Sequence, residues 1–187
     1  VRADAVRNLE TVLTTGARLL ADDPSTSIAA VAAAAGVDRR TIYRRFASRD
    51  ELLAAVYQAR LDAVERAMDA ARLTEAPVTV ALHRYAEGII AVNRTWPIDL
   101  RRMRAEPTIR ERRGRLIDRV HAFLRRAVDE GVLRADLPPG WVANVLRDQI
   151  RSASDEFPDL SPPRAADLVV DTFLSGAGTR KAVAGGE

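Results

Sequence analysis

Apolar residues recur along the chain at the three- and four-residue spacing of helix faces. Val6, Leu9, Leu13, Gly16 and Leu20 predict a first helix, stopped by Asp22-Asp23-Pro24-Ser25. Thr26 or Ser27 can cap a second helix that turns Ile28, Val31, Ala32 and Ala35 inward, and Gly36 breaks it. Asp38 caps a short third helix ending near Phe46. Ser48-Arg49-Asp50-Glu51 reads as a capping box, with Glu51 reaching back to Ser48, and opens a long helix carrying Leu52, Leu53, Val56, Leu61, Val64 and Met68. Further helices are expected over 78–95, 98–105, 108–130, 141–156 and 162–176, separated by Pro-, Gly- and Asp-bearing turns, with Ser161-Pro162 as a cap followed by proline. No run alternates like a half-buried strand. The expected fold is all-α, about nine helices: a three-helix front and a larger bundle behind.

Composition sharpens this. Hydrophobic residues make up 47% of 187, enough for a real core, and 33 alanines favour helix. The basic residues are arginine except Lys181, a bias that a GC-rich bacterial genome explains in part. Cysteine is absent, which removes disulfides, thiolate metal sites and a cysteine nucleophile. No stretch is apolar enough to span a membrane, and residues 1–10 are amphipathic and mixed in charge, unlike a signal peptide. A cytoplasmic protein with no membrane partner is expected.

The net charge of +3 decides little, but its distribution does. From Gly36 to Arg49 there are five arginines and one acid, a net +4 in fourteen residues. The same stretch has helix-turn-helix spacing. Ala32 is the small residue at the helix crossing, Gly36 tolerates the positive φ of the turn, and Val37 and Ile42 fill the space between the helices. Arg39, Arg40, Thr41, Tyr43, Arg44 and Arg45 occupy the non-core positions of the second helix, suited to the DNA major groove, with the hydroxyls adding phosphate contacts. Charge alone would also fit a solvated helix; the glycine turn, the small crossing residue and the caps favour DNA.

These residues resemble the N-terminal DNA-binding domain of the TetR family of bacterial transcriptional regulators. The resemblance covers residues 5–56. Ile28-Ala29-Ala30-Val31-Ala32-Ala33-Ala34-Ala35-Gly36-Val37, Thr41-Ile42-Tyr43-Arg44-Arg45-Phe46 and Ser48-Arg49-Asp50-Glu51-Leu52-Leu53 carry it. Behind them, only length, helix number and the Gly131-to-Pro138 turn match. The resemblance implies phosphate contacts from Tyr43 and Arg49 and base contacts from Arg39, Arg40 and Arg44. With Thr26, Ser27, Thr41 and Arg45 these complete the expected DNA-contacting set. The chain departs from the pattern in lacking an aromatic residue over 21–26, in Asp38 where serine is frequent, and in Arg45 where histidine or tyrosine is.

The resemblance further implies a homodimer on a palindromic operator. Its interface would be a four-helix bundle built from the last two helices of each copy, with Trp141, Val145, Leu146, Gln149, Leu168, Val169, Thr172 and Phe173 facing the partner. It also implies a small-molecule effector, of unidentified chemistry, in a pocket lined by Leu61, His83, Glu87, Trp96, Met103 and Phe123, although each of these is by pattern alone an ordinary core or surface residue. The corresponding organisation is a DNA-binding domain over 1–47, a ligand-binding and dimerisation domain over 48–177 with the fourth helix (48–72) joining the two, and a flexible tail over 178–187. The arginines at 101, 102, 104, 110, 112, 113 and 115 read as a solvated face or, more sharply, as an anion site.

An enzyme is not expected. The two histidines lie 38 positions apart, no phosphate-cradling glycine loop occurs, and no metal or cofactor is implied. The expected function is a repressor released from its operator by an effector. The alternatives are an activator of the same family and a nonspecific architectural DNA binder; the latter would need no large helical region behind its basic surface.

Overall fold

A computed structural model describes residues 2–99, 106–138 and 140–179, with residues 2–7 described by backbone alone. Among these residues there are eight helices and no strand: α1 (Arg2–Asp22), α2 (Ile28–Ala34), α3 (Arg39–Arg45), α4 (Arg49–Ala71), α5 (Val78–Thr95), α6 (Pro107–Asp129), α7 (Trp141–Asp155) and α8 (Pro162–Ala177). The all-α expectation holds. The ninth expected helix, over 98–105, falls mostly outside the described residues, and Ile98 and Asp99 are not helical. No helix among the described residues is long and apolar enough to cross a membrane.

The chain forms two compact units, one of residues 1–62 with 95–110, the other of 63–94 with 111–187. In the first, Val12, Leu13, Ala17 and Leu20 of α1 join Ile28, Val31 and Ala32 of α2, Ile42 of α3, and Leu52 and Val56 of α4 in a buried core. The segment after α5 belongs here because α4 holds its backbone. Tyr57 donates its hydroxyl to the Asp99 carbonyl at 3.0 Å, and the Arg60 guanidinium donates to the carbonyls of Trp96 and Ile98. Three carbonyls outside any helix thereby gain partners, as buried main-chain acceptors require.

The second unit is a helical bundle. Leu82, Ala86 and Ile90 of α5, Phe123 and Ala127 of α6, Leu146 and Ile150 of α7, and Val169 and Phe173 of α8 are buried. Gly88 lets α5 approach α4 closely: a Cβ there would lie 3.0 Å from Ala67 Cβ. Gly88→Val is expected to overpack this contact at a cost of about 1–3 kcal/mol, read as a lower thermal midpoint by circular dichroism. An unchanged midpoint would mean that α5 can shift away freely. Arginine side chains close the helix ends. Arg94 donates to the carbonyl of Ala153 in the last turn of α7 and to those of Phe157 and Leu160 after it, and Arg126 to those of Leu73 and Ala76 before α5. Gly178 and Thr179 pair with the loop after α6: Arg134 N–H donates to Ala177, and Thr179 N–H to Val132. Gly178 and Thr179 are the first two residues of the expected tail; residues 180–187 lie outside the described residues.

Candidate nucleic-acid interface

Local chemistry fixes the helix-turn-helix within the first unit. Ser27 caps α2, its hydroxyl oxygen accepting from Ala30 N–H at 3.1 Å. The helix ends with Gly36 at φ 66°, where Gly36 N–H reaches Ala33 at 3.2 Å and Val37 N–H reaches Ala32 at 2.9 Å. This double closure needs a left-handed residue, which glycine adopts without a Cβ penalty. Two residues later Asp38 opens α3, accepting from the N–H groups of Arg40 and Thr41 at 2.8 and 3.3 Å. At the start of α4, Ser48 accepts from Glu51 N–H at 3.2 Å. The Glu51 carboxylate does not return to Ser48 as the sequence reading expected; it accepts from Ala47 N–H, one residue further back, at 2.8 Å.

α3 is two-faced. Ile42 and the following Phe46 are buried and hold the helix to the core. Arg39, Arg40, Thr41, Arg44 and Arg45 are exposed, and Tyr43, an aromatic residue that packing would bury, is 42% exposed. The Arg39 guanidinium lies 5.5 Å from the Tyr43 ring centre, a cation–π contact that restrains both side chains. Thr26 is committed locally, its hydroxyl donating to the Asp23 carbonyl at 2.8 Å. Ser27 accepts in its cap but keeps its own proton to donate. Arg49 donates from Nε to the Thr26 carbonyl at 3.3 Å, and its Nη1 lies 3.7 Å from the Asp50 carboxylate. Of the sequence-derived set, six residues lie on α3, Arg49 is tied to Thr26, and Thr26 itself serves the turn.

Ion pairing separates this cluster from the other arginines. Among the described residues, Arg39, Arg40, Arg44 and Arg45 have no carboxylate within salt-bridge range, whereas Arg112 pairs with Glu65, Arg115 with Glu111, Arg119 with Asp69 and Arg126 with Glu130. The Arg112 hydrogen bond also holds the Glu65 carboxyl below the usual carboxylate range. A solvated basic face tends to acquire acids at helical spacing; a surface reserved for a polyanion does not. Of the second sequence cluster, Arg101, Arg102 and Arg104 lie outside the described residues, and Arg112 and Arg115 are paired with carboxylates.

The remaining expected sites are scattered. Leu61 and Trp96 are buried in the first unit and Phe123 in the second, while Met103 lies outside the described residues. His83 is partly exposed and engaged by carboxylates, Asp167 Oδ1 at 2.9 Å from Nε2 and Glu87 at 3.9 Å from Nδ1, because α5 turns Leu82, Ala86 and Ile90 inward instead. Tyr85, two residues on, is half-buried like His83, and desolvation pushes its phenol up to about 12. Of the expected interface, Leu146, Val169 and Phe173 are buried in the chain's own bundle, while Trp141, Leu168 and Thr172 are exposed and Val145 and Gln149 half-buried. Val145, Gln149, Leu168 and Thr172 line a groove of about 450 Å³ between α7 and α8, extended by Phe157, which is 53% exposed. The Gln149 side-chain oxygen is buried there with no hydrogen-bond partner among the described residues.

Comparison with known proteins bears on this geometry. Residues 12–56, spanning the end of α1 through the first part of α4, match the family model described as bacterial regulatory proteins, tetR family. The HTH-type transcriptional repressor LfrR of Mycolicibacterium smegmatis is 28% identical over 176 residues, covering 91% of this chain and 90% of that protein. A crystal structure of the TetR-like transcriptional regulator LfrR superposes with a TM-score of 0.71 at 26% identity, covering 95% of this chain and 99% of that one. A second LfrR crystal structure, in complex with proflavine, gives 0.73 at 24% identity over 94% and 99% of the two chains. The fold alone is shared with the ketosteroid transcriptional regulator KstR2 of Mycobacterium tuberculosis, with a TM-score of 0.75 at 18% identity over 90% and 94% of the two chains.

Proposed function

We propose that this chain, whose residues 12–56 match the tetR family model and which resembles the repressor LfrR over most of its length, is a TetR-family regulator that binds DNA rather than catalysing a reaction: a dimeric, cytoplasmic repressor released from a palindromic operator by a small molecule. The observation that carries the DNA contacts is the unpaired arginine set of α3 with Tyr43 beside it. Arginine forks read guanine edges bidentately, and hydroxyls and remaining guanidinium donors hold phosphates. Repression rather than activation is supported by LfrR, which is a repressor. An effector is supported by the LfrR complex with proflavine.

The dimer follows from the operator. A two-fold site needs two recognition helices about 34 Å apart, hence two copies. The α7–α8 groove, with Leu168 and Thr172 exposed and the Gln149 oxygen unpaired, is the surface that a second copy would cover. Selection from random duplexes tests the whole reading. It is expected to enrich one inverted repeat, with deletion of the gene raising transcription from promoters that carry it. Enrichment without any sequence would favour an architectural binder, and lowered transcription would favour an activator.

A further inference from the structure

We propose that the second unit carries a binding site for a small amphipathic carboxylate, in a cavity between the C-terminal half of α6, the loop that follows it and the first turn of α7. The inference goes beyond the effector pocket expected from the sequence, whose lining is a different set of residues. It concerns the protein without DNA, so it stands or falls apart from the DNA-binding reading. The cavity holds about 670 Å³, a size typical of small-molecule sites. Its apolar wall is made by Leu124 and Val128 of α6, Leu137 and Pro138 of the loop, and Val142 and Ala143 of α7. It shares no lining residue with the α7–α8 groove, and Val145 of that groove lies roughly 200° around α7 from Ala143.

His121, Arg125, Asp129 and Arg134 are the charged and titratable groups of the lining. Arg134 spends its fork on Asp136, at 3.0 and 2.6 Å. His121 and Arg125 lie one turn apart on α6 and have no hydrogen bond or ion pair among the described residues. For Arg125 this is not for want of an acid. Asp129 stands where Glu130 stands for Arg126, one turn further on, yet only the second pair forms. Arg112, Arg115 and Arg119 of the same helix are paired as well. Arg125 therefore brings an uncommitted guanidinium to the edge of an apolar cavity.

That chemistry selects the ligand. A guanidinium fork meets both oxygens of a carboxylate, and an imidazole N–H beside it adds a third donor. One negative charge balances one permanent positive charge; a phosphate ester would carry an excess, which Asp129 would repel. Gly140 caps α7 without a side-chain hydrogen bond, so the positive end of that helix adds to the potential at this wall. The apolar wall takes a hydrocarbon or aromatic body, whose removal from water supplies affinity.

The probe is 2-naphthoate, with 2-naphthamide as its uncharged counterpart, titrated calorimetrically into the whole chain at fixed pH and salt. Naphthoate is expected to bind, and the amide about tenfold more weakly. Arg125→Gln, a change at an exposed position, should weaken naphthoate by about tenfold and leave the amide unaltered. Ala143→Leu fills the cavity with the charges in place and should weaken both. Circular dichroism checks that each variant is folded. Equal affinity for naphthoate and naphthamide overturns the proposal, as does the absence of naphthoate binding at millimolar concentration. Naphthoate binding that Arg125→Gln leaves unaltered overturns it too, because the ligand then sits elsewhere on the protein.

Discussion

Replacing Arg40 and Arg44 together by alanine is expected to lower operator affinity by roughly a thousandfold, from four contacts per dimer at about 1 kcal/mol each. The loss should exceed that on unrelated DNA, because base contacts discriminate and phosphate contacts do not. Neither side chain pairs with a carboxylate among the described residues, and both are exposed, so removal leaves no orphaned charge and circular dichroism should be unaltered. Tyr43→Phe is the companion measurement. It removes one hydroxyl, keeps the ring against Arg39 and should weaken all sequences alike. Gel-shift titrations on the selected operator and on a scrambled duplex read both effects. Equal affinity of the double variant and the original chain would mean that α3 does not enter the groove.

The other large effect is expected from Leu168→Glu, which places a carboxylate on the exposed side of the α7–α8 groove. Covering that groove with a second copy would bury the charge without a partner, a penalty of several kcal/mol per ion, incurred twice in a two-fold interface. The variant should be a folded monomer by light scattering and circular dichroism, and should lose cooperative binding to the inverted repeat. Phe173→Glu is expected to behave differently. Phe173 is 1% exposed within its own bundle, so the charge should unfold the chain rather than split a dimer. A Leu168→Glu protein that stays dimeric would place the interface elsewhere.

The contrast between Leu168 and Phe173 shows where the sequence stops. Local signals are written in residue type. Gly36 with its positive φ, the Ser27 and Asp38 caps, and the proline and glycine stops each act within a few positions, and those features were legible from the chain alone. So was the basic face of α3, because Ile42 and Phe46 mark its buried side by spacing. Periodicity also identified apolar stripes on α7 and α8, but a stripe wide enough to bury two neighbours does not say which residues meet their own chain and which a partner. Only packing assigned Leu146, Val169 and Phe173 inward and left Leu168 and Thr172 outside.

Charge behaved in the same way. The two arginine-rich stretches look alike in one dimension. The acids that neutralise α6, Glu65 and Asp69, lie about fifty positions earlier on α4, whereas α3 has none within range among the described residues. By sequence His83 suits a pocket, whereas in the structure Asp167 of α8, 84 positions away, lies beside it. The grip of Tyr57 and Arg60 on the carbonyls of residues 96–99 left no sequence mark, because main-chain acceptors look alike in every residue. Sequence by itself determined the helices, their ends and the DNA-reading motif, since those depend on neighbours along the chain. The tertiary structure decided which charges are free and which apolar residues remain for a partner, since those depend on neighbours in space.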